Sequence, residues 1–399
     1  MNYYFKTRKY FTPFIVFISG WRASATHASR LNAVQTNPIH NLRPQSPVNN
    51  PGPNAATFPF NQPPIILMEY QKLGSSDVSV SRITFGSWAA GGWMWGGTEQ
   101  NDAVGAIHAS YELGVTSIDT APVYGMGFSE EIVGEAIKSL PRDKVQILTK
   151  FGMRWDLAQG DFAMKTKDNS GHDLDVYKYA GRASIIKECE DSLRRLGTDY
   201  IDLYQQHWPD VTTPIDETME AVSRLMEQGK VRAAGVSNYS VPQMQEAEKT
   251  LKLASNQVPY SMLRRDIEAD VVPYCLENNK AILVYSPLQL GLLTGKMKPG
   301  QEFGEGDLRN GNRFFTPENV KRVNTVLNKI RPLAETKNAT LSQLVLRWTL
   351  AQPGISVALV GARNPEQAVQ NARAMDFQLT FEEVDYINKQ LRELAVAAV

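Results

Sequence analysis

The sequence predicts an α/β protein whose single folded domain is a (β/α)8 TIM barrel, preceded by a disordered N-terminal extension. Three observations support this prediction. Eight short apolar, β-rich runs recur between residues 81 and 362, helical patterns separate consecutive runs, and nearly every run has a hydrogen-bonding or phosphate-friendly group at or near its end. Regular alternation of strands and helices predicts a parallel sheet. Eight repeats favour a sheet that closes on itself over an open, doubly wound one.

The extension, residues 1–67, differs from the rest of the chain in composition. A short apolar stretch interrupted by Pro13 is followed by residues 37–64, which are rich in Pro and Asn. Such a composition predicts disorder, and the apolar stretch is too short to span a bilayer as a helix. Two explanations stay open: an export leader, or a reading frame that starts upstream of the native start at Met68. Ordered sequence begins abruptly at Met68, which favours the second explanation and a cytoplasmic protein whose barrel covers residues 68–399.

The strand and helix patterns follow one another in a fixed order. The predicted strands are residues 81–86, 115–119, 145–150, 201–207, 231–238, 254–260, 281–287 and 355–362. The predicted helices are residues 101–113, 129–140, 182–196, 215–228, 242–251, 266–278 and 365–375, with two further helical patterns near 317–335 and 340–351. The polar segment 155–181, after the third strand, is predicted to be a loop at the barrel rim.

Charge and cysteine content narrow the classes of function. Lys+Arg and Asp+Glu both number 42, so the chain lacks the basic excess of a nucleic-acid-binding protein. Cys189 and Cys275 lie in helical patterns without metal-ligand spacing, and the five histidines are scattered. This usage fits a reducing compartment and predicts no metal site. We therefore expect a small-molecule substrate and no nucleic-acid or membrane partner; the sequence carries no indication of the oligomeric state.

Four chemically active side chains lie at or near the ends of neighbouring predicted strands. Asp119 ends the second strand, Lys150 the third and His207 the fourth, and Tyr124 follows the second strand in a turn. Taken singly, Asp119 suits a turn cap and Lys150 a solvated strand end. Because strand ends meet at one mouth of a barrel, their coincidence instead favours a site. An ammonium beside a phenol lowers the phenol's pKa from near 10, so we predict that Lys150, held by Asp119, tunes Tyr124 as a general acid, with the neutral imidazole of His207 donating to a substrate oxygen.

The motifs around these residues resemble the aldo-keto reductases, which are NADPH-dependent (β/α)8 enzymes. The similar stretches are "DTAPVYGMGFSEEIVGEAI", "LTKFG", "DYIDLYQQHWPD", "GVSNYS", "YSPLQLGLLTGK" and "LVGARNPEQAVQNARA". The resemblance runs from about residue 68 to about residue 394 and is greatest to the bacterial branch of general stress protein 69 and its inositol-locus relatives. It implies reduction of aldehydes and ketones to alcohols by a catalytic tetrad, with the tyrosine as proton donor; the tetrad residues are Asp119, Tyr124, Lys150 and His207.

The same resemblance implies an NADPH/NADP+ site. The residues implied for the nicotinamide end are Ser237, Asn238, Gln257 and Tyr285, those for the pyrophosphate are Ser286, Leu288, Gly291 and Lys296, and those for the adenine end are Gly361, Ala362, Arg363, Gln367 and Asn371. The charge of Arg363 suits a 2′-phosphate, so NADPH is expected over NADH. The glycine-rich segment 291–315 is expected either to fold over the cofactor as a lid, with Arg309 or Arg313 near phosphate, or to be a plain surface loop.

A tryptophan-rich stretch, "GSWAAGGWMWGG", follows the first strand. Tryptophans among glycines can wall an apolar pocket, so Trp88, Trp95 and Trp208 are expected to flank the substrate. Two other functions stay open: a cofactor-binding regulatory or sensor subunit with weak turnover, which can retain the tetrad, and a barrel hydrolase that uses Asp119 and Glu130 as paired carboxylates.

Overall fold

The computed structural model describes residues 68–95 and 99–394. The predicted extension, residues 1–67, lies outside the described residues. Thirteen strands are assigned in the described part of the chain. They are β1 Tyr70–Lys72, β2 Ser79–Ser81, β3 Ile83–Gly86, β4 Ser117–Asp119, β5 Gln146–Phe151, β6 Met153–Arg154, β7 Asp161–Lys167, β8 Asp173–Lys178, β9 Ile201–Gln206, β10 Val231–Ser237, β11 Ser255–Pro259, β12 Ala281–Tyr285 and β13 Ile355–Gly361.

Eight parallel strands close into a barrel, which confirms the predicted fold class. The order around the barrel is β3, β4, β5, β9, β10, β11, β12 and β13, and β13 pairs with β3 to close it. Each of these strands falls on one of the eight predicted runs. Alternate strand residues point inward, and among them Leu148, Leu203 and Leu283 are buried in one apolar cluster.

An antiparallel hairpin of β1 and β2 precedes the barrel and was not predicted. Its residues Leu73, Val78 and Val80 are buried in the same cluster as the inward-facing leucines of the barrel strands. The hairpin therefore completes the core from the start of the domain, and it leaves the opposite mouth, where the strands end, available for chemistry.

Ten α-helices within residues 68–95 and 99–394 follow or flank the strands. They are α1 Gln100–Glu112, α2 Phe128–Ile137, α3 Arg182–Leu196, α4 Ile215–Glu227, α5 Val241–Ala247, α6 Val271–Glu277, α7 Pro317–Thr336, α8 Leu341–Leu350, α9 Pro365–Ala372 and α10 Phe381–Arg392. Capping boxes at Ser240, Thr340 and Thr380 begin three of them, and in each the side chain three residues later returns a bond to the cap's backbone. No helix in the described ranges is long and apolar enough to cross a membrane.

The segment 155–181 is not the loop that its polar composition predicted. It contributes β7 and β8, which join β6 in an antiparallel sheet of order β6-β8-β7. Val176 on β8 is buried in a cluster with Trp93, Val123 and Met153, whereas Phe162 on β7 is half exposed. The sheet thus has one face on the barrel rim and one in solvent. The polar residues of the solvent face give the segment the composition of a loop.

Candidate active site

The four predicted catalytic residues converge at the mouth of the barrel. Asp119 is the last residue of β4, Lys150 lies one residue before the end of β5, and His207 directly follows β9. The strands β4, β5 and β9 are neighbours in the barrel. Tyr124 lies in the turn between β4 and α2. The predicted placement of the four at one mouth is therefore what the structure has.

Lys150 and Asp119 form a buried ion pair. The ammonium is fully buried and donates to Asp119 Oδ1 at 2.6 Å and to the carbonyl oxygen of Thr120 at 2.8 Å. Burial lowers the pKa of Lys150, and the nearby carboxylate of Asp119 opposes that shift. A solvated strand end or a simple turn cap would not place both charges out of water, where an ion pair must repay a large desolvation cost. The structure therefore excludes a solvated strand end for Lys150 and a role as a simple turn cap for Asp119.

The lysine approaches the phenol, but burial sets the direction in which the phenol's pKa moves. Lys150 Nζ lies 4.9 Å from the centroid of the Tyr124 ring. Burial, and to a lesser extent the Asp119 carboxylate, raise the pKa of Tyr124 well above its usual value. This direction is opposite to the one expected from the sequence. The main cause is desolvation, which disfavours the buried phenolate, and the negative charge of Asp119 adds to it. The phenol consequently keeps its proton at neutral pH.

His207 completes the group as a neutral side chain. Its ring meets the Tyr124 ring edge to face, with centroids 5.6 Å apart and an interplanar angle of 82°. Burial, followed by the charge of Lys150, lowers the pKa of His207 well below 6.5. The imidazole is therefore uncharged at neutral pH, as its predicted role requires.

Two glutamines extend the site below Asp119. Gln257 Nε2 donates to Asp119 Oδ2 at 2.8 Å, and Gln205 Nε2 approaches the same oxygen at 3.5 Å. Gln257, which the family resemblance implies for the cofactor, lies in the middle of β11 and contacts the carboxylate of Asp119; its cofactor role stays a prediction. Gln205 is fully buried on β9 and was not predicted. A polar side chain at an inward strand position was the available signal.

The residues implied for the nicotinamide end form one hydrogen-bonded group. Asn238 Nδ2 donates to Ser237 Oγ and to His207 O, both at 3.1 Å. Ser237 Oγ donates to Gln257 O at 2.9 Å, and Tyr285 OH donates to Asn238 Oδ1 at 2.9 Å. Asn238 has a left-handed backbone, with φ of 61°. The structure thus brings these residues together beside the four predicted catalytic residues, with amide, hydroxyl and aromatic groups suited to a planar carboxamide-bearing ring.

The segment implied for the pyrophosphate has an unusual backbone. Ser286, Gln289, Leu290 and Gly291 have φ of 55°, 46°, 53° and 89°. Left-handed conformations at non-glycine residues cost energy and concentrate at functional sites, and three of the four residues are not glycine. Leu288, within this run, is half-buried, and the side chain of Lys296 is exposed.

The residues implied for the adenine end form the turn into α9. Arg363 is exposed, Ala362 is buried, and Asn364 caps the helix. The backbone amide of Arg363 donates to Gln367 Oε1 at 3.0 Å, and Asn371 Nδ2 donates to the carbonyl of Gly361 at 3.1 Å. The two amide side chains therefore shape this turn, and they leave the guanidinium of Arg363 exposed at the helix start, a favourable position for an anion to be held.

The glycine-rich segment 291–315, expected to be either a lid or a surface loop, contacts the tryptophan-rich stretch. Arg309 lies over the Trp95 ring at 5.6 Å and over the Phe303 ring at 4.2 Å, and it pairs with Asp307 at 2.5 Å. Hydrogen bonding from Arg309, and more weakly the charge of Arg363, lower the pKa of Asp307. The segment thus packs at the rim between the tryptophans and the predicted adenine end, and Arg309 is engaged by a carboxylate of its own segment.

The tryptophans predicted to flank the substrate are placed unequally. Trp88 stacks on Tyr124, with centroids 5.7 Å apart, and contacts Trp95 edge to face at 5.8 Å. Trp93, 5% exposed, also contacts Trp88, at 6.3 Å. Trp208 is 41% exposed, and its placement beside the substrate stays a prediction. Among the described residues, no group of His, Cys, Asp and Glu is arranged to hold a metal ion.

Comparison with known proteins agrees with this geometry. A profile of the Aldo/keto reductase family matches residues 82–392. The chain is 41% identical over 323 residues to the aldo-keto reductase YhdN of Bacillus subtilis (strain 168), covering 80% of this chain and 93% of that protein. It is 36% identical over 330 residues to an NADH-specific methylglyoxal reductase of Escherichia coli (strain K12), covering 82% and 98%.

Solved structures are similar over the same region. The glycerol dehydrogenase of Gluconobacter oxydans superposes with a TM-score of 0.73 at 38% identity, covering 83% of this chain and 97% of that one. An aldo-keto reductase of Bacillus halodurans in its holo form gives a TM-score of 0.65 at 30% identity, covering 83% and 98%.

Proposed function

Because the chain belongs to the aldo/keto reductase family, whose members are oxidoreductases that bind a nicotinamide cofactor, we propose that it reduces aldehydes and ketones to alcohols with NADPH and that Tyr124 is the general acid. The observation that supports this most is the buried pair of Lys150 and Asp119 directly beside a protonated phenol. A reduced nicotinamide, when bound, supplies a hydride to the carbonyl carbon.

The residues of the chain then manage the charge that develops on the carbonyl oxygen. Tyr124 holds its proton at neutral pH because of its raised pKa, and an alkoxide is a strong enough base to take it. The neutral imidazole of His207, beside the Tyr124 ring, donates a hydrogen bond to the same oxygen. The ammonium of Lys150 stabilises the phenolate that remains. Trp88, stacked on Tyr124, keeps water away from one side of the phenol.

The preference for NADPH is proposed from Arg363. Its exposed guanidinium at the start of α9 is suited to a 2′-phosphate, whereas the relative in Escherichia coli is described as NADH-specific. A charge-assisted bond contributes about 1.5–3 kcal/mol, which is roughly a 10- to 100-fold change in affinity. Arg363→Ala should raise the Michaelis constant for NADPH by about that factor and leave that for NADH nearly unchanged. Arg373→Ala, an exposed arginine at the other end of α9, is the matched control; equal effects of Arg363→Ala on both cofactors would remove the role.

The proposed activity is tested by NADPH oxidation with 4-nitrobenzaldehyde and with methylglyoxal. We expect turnover with both aldehydes. Tight NADPH binding without turnover would instead favour the sensor subunit that the sequence left open. We also propose a cytoplasmic location, because Cys189 and Cys275 are buried free thiols, and a domain that extends beyond the matched residues 82–392 to residues 68–399.

A further inference from the structure

The β7–β8 hairpin holds the tryptophan loop, defined here as residues 88–95, through two side-chain hydrogen bonds. Trp93 Nε1 donates to Thr166 Oγ1 at 3.0 Å, and Asn169 Nδ2 donates to the carbonyl of Gly91 at 3.0 Å. Thr166 lies near the end of β7, and Asn169 lies in the turn between β7 and β8. The hairpin therefore grips the loop at two points three residues apart on the hairpin.

These two hydrogen bonds lie where the tryptophan loop packs on the turn that carries Tyr124. A Cβ built at Gly91 would lie 3.1 Å from the carbonyl oxygen of Tyr124. A Cβ built at Gly125 would lie 2.7 Å from the carbonyl oxygen of Gly91 and 2.9 Å from Asn169 Nδ2. Three chain segments thus meet with no room for a side chain between them, and the amide of Asn169 fills the remaining space.

The hairpin turn that presents Asn169 is itself well bonded. Asp168 Oδ1 accepts from the backbone amides of Ser170 and His172, at 2.8 and 2.9 Å. Asp168 N donates to the carbonyl of His172 at 2.9 Å. A turn closed in this way presents Asn169 in one position, although the turn is exposed to solvent. Buried apolar contacts of Val176 with Trp93 and Val123 hold the hairpin to the rim beneath.

We infer that Asn169 and Thr166 are positioning residues that clamp the tryptophan loop beside Tyr124 and so give the pocket a preference for small carbonyl compounds. Trp88, in this loop, stacks on Tyr124, and with Tyr124 as the proton donor its ring would form one wall of the substrate space. With the clamp intact the wall stays close to the phenol, and a small substrate is packed against it. Without the clamp the wall moves outward, which weakens the binding of small substrates and leaves room for bulky ones. This inference rests on the proposed function.

The test uses the full chain with Asn169→Ala and Thr166→Val, the second being close to isosteric and expected to keep the fold. Ser170→Ala in the same turn and Lys165→Ala on β7, both exposed, are matched controls. Michaelis constants and kcat are measured for methylglyoxal and for 4-nitrobenzaldehyde at saturating NADPH. The NADPH dissociation constant and the quenching of tryptophan fluorescence by acrylamide in the ligand-free protein are measured as well.

Each clamp variant should raise the Michaelis constant for methylglyoxal by about 2- to 10-fold, the range of one hydrogen bond. The kcat, the NADPH dissociation constant and the constant for 4-nitrobenzaldehyde should stay within about twofold of the wild type, because the clamp acts on binding of small substrates alone. Acrylamide should quench more of the tryptophan fluorescence, and both controls should match the wild type.

Unchanged Michaelis constants in both variants overturn the inference. So does a parallel change of kcat, NADPH affinity and both substrates, since that pattern marks a general structural defect. If the wild type turns over neither aldehyde, the proposed function fails and the preference for small carbonyls fails with it. The quenching measurement then decides separately whether Asn169 and Thr166 hold the tryptophan loop, and quenching equal to the wild type in both variants rejects the clamp.

Discussion

Replacing Lys150 with methionine tests the buried ion pair at the base of the site. The wild-type ammonium is fully buried and bonded to Asp119 Oδ1 and to Thr120 O. Methionine nearly fills the same space but leaves the Asp119 carboxylate buried, with only the amides of Gln257 and Gln205 bonded to Oδ2. Removing one partner of a buried pair costs about 3–5 kcal/mol. We expect a loss of that size in the free energy of unfolding.

Urea unfolding followed by tryptophan fluorescence measures this loss. The control is the double variant Asp119→Asn/Lys150→Met, in which neither charge remains. It should recover about half of the loss or more, because no unpaired charge is then buried, while both variants stay inactive. If the single variant unfolds within about 1 kcal/mol of the wild type, as expected for an exposed pair, the reasoning from burial is refuted.

Three further predictions concern pH and backbone conformation. The pKa of His207 lies well below 6.5 in the folded protein, so below pH 6.5 the unfolded chain binds a proton that the folded chain does not, and this site makes stability fall as the pH drops. His207→Asn should therefore lose up to about 1.4 kcal/mol less stability per pH unit in that range. The same pH dependence of urea unfolding in variant and wild type would contradict this prediction. Burial raises the pKa of Glu188 from 4.5 to about 7, so the stability that this site contributes is lost as the pH rises from 4.5 through 7. Over that interval Glu188→Gln should become more stable relative to the wild type in the same unfolding assay. A difference in unfolding free energy that does not change with pH would argue against the shift. Gly125 has φ of 68° and no room for a Cβ, so Gly125→Ala should displace Tyr124. The variant should keep its NADPH affinity but lower kcat by about tenfold or more, which corresponds to about 1.4 kcal/mol in the activation free energy. A wild-type kcat would show that the turn tolerates the change.

The barrel was predictable from the sequence because its signal is repeated. Each strand buried on both faces reads as an apolar run, as in residues 281–285, and each is followed by a helix or a loop with a clear change of pattern. The positions of Asp119, Lys150 and His207 followed directly, since a parallel barrel brings strand ends to one mouth. A sequence can predict local features such as single strands, single helices and the residues at the barrel mouth.

Contacts between distant segments were beyond a reading of local pattern. The polar outward face of the β7–β8 hairpin, as at Lys165 and Lys167, gives its sequence the composition of a loop. The inward position of Gln205 marks it as a buried polar residue, but nothing in the local sequence shows that it contacts Asp119, which lies 86 residues away. The direction of the Tyr124 pKa depends on how far burial outweighs a nearby charge. That balance is set by the packing of several segments and not by residue types.

The proposed mechanism depends on proton transfer from the phenol of Tyr124 to the carbonyl oxygen. Its most direct test is the turnover number of Tyr124→Phe with 4-nitrobenzaldehyde, measured together with the NADPH dissociation constant. We predict a fall in kcat by a factor of about 10²–10⁴ and an NADPH affinity within about twofold of the wild type. Wild-type turnover in this variant would show that Tyr124 is not the proton donor.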